Sequence, residues 1–94
     1  MIDWLENWYS ENCDGNWEHD FGIKINTLDN PGWEVIIDLT DTEKILPDEE
    51  WKMFEINSND WYGYEIKNNT FNAAGDPKKL NLLLNIFRQK VSLL

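Results

Sequence analysis

Two alternating runs, joined by a segment built to turn, constrain this chain more than any other feature. Phe21, Ile23 and Ile25 alternate with Gly22, Lys24 and Asn26, and Trp33, Val35, Ile37 and Leu39 alternate with Glu34, Ile36 and Asp38. A period of two sends successive side chains to opposite faces of a strand, so each run has one face to bury. Asp29-Asn30-Pro31-Gly32 lies between them, with Pro fixing φ and Gly accepting a positive φ. The pair is an antiparallel hairpin, and Trp33 belongs with Val35 and Ile37 on its core side.

Residues 51–57 and 61–67 are rich in aromatic and β-branched types and flank Asn57-Ser58-Asn59-Asp60, which predicts a second hairpin. The connection before it carries Asp41, Glu43, Asp48, Glu49, Glu50 and Pro47, a composition suited to an exposed acidic loop and not to a central strand. Asn68, Asn69 and Asn72 weaken any continuation beyond residue 67, although Phe71 can anchor a short extra strand. At the start, Asp3 and Glu6 resemble a capping box, and Trp4, Leu5, Trp8, Tyr9 and Cys13 recur on one face of a helix over residues 3–13. Asp14-Gly15 ends it, and a polar loop runs from Asn16 to Asp20. At the other end, Asp76 reads as an N-cap and Pro77 as the first helical residue. Leu80, Leu83, Leu84, Phe87, Val91 and Leu94 then trace one helical face, while Leu82, Ile86 and Leu93 form a second stripe nearly opposite. That second stripe packs either on the first helix or on another chain. The expected architecture is α+β in the order α-β-β-β-β-α: a four-stranded antiparallel meander with an N-terminal and a C-terminal helix, one domain over residues 1–94. Which sheet face each helix covers is open.

Thirteen aromatic residues, six of them Trp, supply the apolar area that a 94-residue chain needs, since each can bury roughly 150 to 250 Å². Residues 1–50 hold 14 Asp/Glu against 2 Lys, a net of -12, while residues 51–94 hold 4 against 6 Lys/Arg, a net of +2. Such a field repels nucleic acid and anionic membrane and attracts a basic partner. No apolar stretch approaches the ~20 residues of a membrane span, and Met1-Ile2-Asp3-Trp4-Leu5-Glu6 has neither a basic start nor an apolar core, so a cytoplasmic protein is expected. The densest cluster of reactive side chains is Cys13 to Asp20. One Cys and one His cannot close a structural zinc site, and a thiol ringed by carboxylates is a poor nucleophile, so no metal, cofactor or catalytic residue is expected. Phosphate-cradling and nucleophile-elbow motifs are absent from the sequence.

Trp4-Leu5-Glu6-Asn7-Trp8-Tyr9, Cys13-Asp14-Gly15-Asn16-Trp17-Glu18-His19 and Thr27-Leu28-Asp29-Asn30-Pro31-Gly32-Trp33 resemble the immunity protein 53 family. Asp60-Trp61, Phe71 and Ala74-Gly75-Asp76-Pro77 with Leu80, Leu84 and Phe87 are similar to its C-terminal portion. Asn16, in place of an Asp, and Asn72-Ala73, in place of a small residue or Gly after the Phe, depart from the pattern. The resemblance implies a cytoplasmic antidote that binds and inactivates a cognate bacterial toxin, and no catalytic residue carries over. With the charge asymmetry, it directs attention to Asp14, Glu18, His19, Asp20, Asp41, Glu43, Asp48, Glu49 and Glu50 as a surface for a basic toxin, a nuclease for example. Trp17 either anchors that surface or closes the end of the core, and His19 is either a partner contact or a hydrogen-bonded structural residue. Lys78 and Lys79 lie outside this surface. Other readings are a self-associating module with Leu82, Ile86 and Leu93 as a homodimer seam, a sugar-binding module using exposed Trp residues, and an enzyme.

Overall fold

The computed structural model describes residues 1–93, and Leu94, expected on the apolar face of the last helix, lies outside them. The elements are α1 (Ile2–Asn12), α2 (Trp17–Asp20), β1 (Ile23–Leu28), β2 (Gly32–Asp38), β3 (Glu49–Asn57), β4 (Asp60–Lys67), β5 (Thr70–Gly75) and α3 (Leu80–Ser92). Both expected hairpins form, with Ile23 opposite Ile37 in the first and Phe54 opposite Tyr62 in the second.

The sheet has five strands, not four, in the order β1-β2-β5-β4-β3, and every neighbouring pair is antiparallel. The simple meander fails because the Asn pair that reads as a strand breaker is a turn. Asn68 and Asn69 have φ of 53° and 59° and close a two-residue hairpin between Lys67 and Thr70. Asn tolerates the left-handed conformation that such a turn demands. The chain reverses there and β5 inserts between β4 and β2, which leaves β1 and β3 as the sheet edges.

Register fixes the faces. Ile23, Ile37, Phe71 and Ile66 form one row across four strands, and Ile25, Val35, Ala73 and Tyr64 form the next. Residues in register share a face, and this face meets the helices. Phe71 lies 5.5 Å from Phe87 of α3, Phe87 lies 4.9 Å from Trp8 of α1, and Trp8 lies 5.6 Å from Trp17. One cluster therefore joins Leu5 and Trp8, the sheet, and Leu83, Leu84, Phe87 and Val91, so both long helices cover the same face. The opposite face carries Lys24, Asn26, Glu34, Ile36, Asn72, Ala74, Glu65 and Trp61, none of them buried.

Three element boundaries differ from expectation. No side-chain cap forms at the start of α1, and Asp3 acts only as an acid in the first turn. The polar loop after it contains the single turn α2. α3 starts at Leu80, not Pro77: Asp76 Oδ1 accepts the Lys78 amide at 2.8 Å as a cap would, but the Lys79 amide donates to the Asp76 carbonyl at 3.0 Å and closes a turn ahead of the helix, while Oδ2 accepts from the Trp61 amide at 2.9 Å and from Lys79 Nζ at 2.7 Å. Among the described residues no helix is long and apolar enough to cross a membrane.

Candidate partner-binding surface

The loop entering α2 is shaped by its own acids. Asp14 Oδ1 accepts the amides of Asn16 and Trp17, both at 2.9 Å, and the Glu18 carboxylate accepts those of Asp14 at 2.9 Å and Gly15 at 2.7 Å. Hydrogen bonding favours the charged form. The Trp17 and Asn16 amides accordingly hold the Asp14 carboxyl below its ordinary value, and backbone donors, its own first and then that of Asp14, do the same for Glu18. Glu18 is therefore a loop-holding residue as well as a surface acid. Trp17 is 1% exposed and cannot be the partner anchor. The turn of α2 directs it inward, where its Nε1–H donates to the Asp38 carbonyl at 2.8 Å, the partner a buried indole requires. His19 and Asp20 remain exposed.

The connection between β2 and β3 is acidic but ordered. Asn69 Nδ2 donates to the carbonyls of Leu39 at 3.3 Å and Lys44 at 2.8 Å, and its Oδ1 accepts the Leu46 amide at 2.8 Å. Leu39 and Leu46 drop into the core as Asp41 and Glu43 stay outside. The clasp carries those two acids to the end of α1, where Glu11, Asp14, Asp41 and Glu43 line one groove of about 460 Å³ together with Lys44. Two segments far apart in sequence thus meet. Glu18 and His19 line a different groove, of about 470 Å³, with Tyr9 and Lys24. Asp48, Glu49 and Glu50 line a third, of about 330 Å³, beside Trp51 and Glu65. Within it Asp48 accepts the Asn68 amide at 3.2 Å, and Glu49 is drawn inward by Lys90 of α3 at 2.7 Å. The hydrogen bond from Lys90 holds the Glu49 carboxyl below its ordinary value.

Beside these acids the fold leaves an apolar strip. Trp51, Met53 and Phe54 of β3 are 45 to 49% exposed and Ile56 is 81% exposed. Sequence reasoning identified the strand but placed it inside a meander, where such residues are covered; the insertion of β5 puts it at the edge. Exposed aromatic and methionine side chains match the composition of protein-binding surfaces, and the carboxylates beside them favour a partner of opposite charge.

The family model described as Immunity protein 53 matches residues 2–92. The chain belongs to the immunity protein 53 family. No curated protein and no solved structure matches it. Of the three N-terminal motif blocks of this chain, Trp4 to Tyr9 build α1, Cys13 to His19 form the loop and turn that seat Trp17, and Thr27 to Trp33 form the first hairpin. The second stripe of α3, open between packing within the fold and a contact with another chain, divides. Ile86 is partly buried against the core, while Leu82 is 36% and Leu93 83% exposed. Lys79 is not a bystander, because its Nζ bridges Asp60 at 2.8 Å and buried Asp76 at 2.7 Å. Among the described residues no three His, Cys, Asp or Glu side chains converge to hold a metal ion.

Proposed function

We propose that this protein works in the cytoplasm as the antidote to a cognate toxin, binding the toxin domain through its acidic surface and blocking it without chemistry of its own. The observation that carries the reading is the groove in which Asp14 meets Asp41 and Glu43, since it concentrates negative charge from two ordered loops at one place. A basic toxin, such as a nuclease whose cationic groove normally holds phosphates, is the partner that such a field attracts. Family membership supports the antidote role.

The test is the double change Asp41→Asn/Glu43→Lys at exposed positions, with Asn chosen because it tolerates the left-handed backbone that Asp41 adopts at φ 67°. It should leave the melting temperature within a few degrees of the parent and weaken binding of the toxin encoded beside the gene by about tenfold or more, with loss of protection in cells. Full protection by this variant would remove the groove from the interface.

A further inference from the structure

We propose that β3 is a docking edge, to which an extended, basic and apolar segment of the toxin adds as a sixth strand of the sheet. The proposal rests on the antidote reading and names the element through which the toxin is held.

β3 is nine residues long, about 30 Å at the rise of an extended strand, and pairs with β4 on one side only. An edge of that length presents a row of backbone donors and acceptors to any strand laid beside it. Sheets normally blunt such edges with polar side chains, and β1 does so, with Lys24, Asn26 and Thr27 exposed beside Ile25. β3 instead exposes Trp51, Met53, Phe54 and Ile56. Its irregularities fall between Glu49 and Lys52 and between Glu55 and Asn57, so the stretch from Lys52 to Glu55 keeps regular register.

The apolar side chains are held ready on both faces. Gly63 of β4 lies under Trp51, since a Cβ there would be 2.5 Å from the indole Cζ2 and 2.9 Å from Cη2. The indole thus lies close over Gly63 on the bare face. Phe54, on the helix-covered face, stacks on Tyr62 at 4.9 Å. Aromatic groups fixed before binding lose little freedom on contact, which is how anchor residues gain their effect. An added strand alternates its side chains and meets one such anchor on each face.

Charge selects the occupant. β3 carries Glu49, Glu50 and Glu55 against Lys52, and Glu49 is already bridged to Lys90. A second copy of this chain would bring the same acids and a net charge of -10 to the contact. A segment with Lys or Arg among apolar residues pairs with Glu50 and Glu55 instead.

Amide hydrogen exchange on the free protein, and on its complex with an inactivated form of the neighbouring toxin domain, tests this directly. Amides within residues 49–57 should exchange at least tenfold more slowly in the complex, and Met53→Lys/Ile56→Lys should weaken binding at least tenfold with the fold intact by circular dichroism. A complex that leaves β3 exchange unchanged overturns the docking edge and leaves the antidote reading standing. Failure to form any complex overturns both. Protection of β3 that grows with the concentration of the free protein assigns the edge to self-association, against the proposal.

Discussion

Two side chains do more for this fold than their residue types advertise. Asn69 combines a left-handed backbone with a side chain that satisfies three backbone groups of the acidic connection. Asn69→Gly keeps the backbone freedom and removes the clasp, so it isolates the side chain's contribution. We expect it to destabilise by about 1 to 2 kcal/mol, because the part-buried Leu46 amide loses its acceptor and the Lys44 carbonyl its shorter donor, while the Leu39 carbonyl keeps the amide and hydroxyl of Thr42. Chemical denaturation measures this, and a Gly variant as stable as the parent would mean that solvent replaces the clasp without loss. Asp76 is 1% exposed, and the hydrogen bond from Lys79, helped by the Lys78 and Trp61 amides, lowers its pKa from 3.8 to about 2. A pKa depressed in the folded state means that the unfolded chain takes up the proton first as pH falls. Stability from Asp76 is therefore complete above about pH 4 and lost as pH falls toward about 2. Melting curves of Asp76→Asn should be flatter across that window than those of the parent; equal slopes would show that Asp76 is not a source of acid sensitivity. For the same reason Lys79 cannot serve as a neutral control in charge-reversal experiments, and exposed Lys78 can.

At the level of elements, α3 gives the sharpest test of what its second stripe does. Ile86→Asp puts a carboxylate against the core and should destabilise by about 2 kcal/mol or more, while Leu82→Asp should stay within about 0.5 kcal/mol of the parent. Light scattering decides the remaining point, since a fall from dimer to monomer in Leu82→Asp would restore the seam that the burial of Ile86 weakens. Both hairpins and both long helices were legible because their apolar periods are regular and their turns carry strong residues. β5 was not legible. Thr70 to Gly75 contains Asn, two Ala and Gly, poor strand formers that hold a central position through pairing on both sides, a tertiary effect outside the local signal. That placement hid the edge status of β3 and with it the exposed apolar strip of Trp51, Met53, Phe54 and Ile56. Trp17 stayed open between anchor and core for a related reason, since a single helical turn has no periodicity from which to read its facing, and the structure decides for the core. The acids were located by segment, but their meeting in one groove depends on Asn69 and the path of the connection that it clasps.

The whole molecule is electrically lopsided, with -12 in residues 1–50 against +2 in the remainder. Charge of this kind acts before contact, by steering a partner's approach, whereas apolar anchors act after it, by slowing escape. The two candidate surfaces should therefore separate kinetically. Exposed charges are screened beyond about 8 Å at roughly 0.15 M salt, so the on-rate for the toxin should fall by on the order of tenfold between about 0.01 and about 0.5 M salt, with the off-rate much less affected. Asp41→Asn/Glu43→Lys should lower the on-rate and flatten its salt dependence, because it takes charge out of the groove without touching β3. Met53→Lys/Ile56→Lys should do the reverse: it adds positive charge at exposed positions but removes contact area, so its main effect should be a faster off-rate. Stopped-flow association with dissociation by competitor resolves both constants for each variant. An on-rate indifferent to salt would mean that the acidic half contributes solubility alone, and an off-rate unchanged in the β3 variant would place the lasting contacts elsewhere on the molecule.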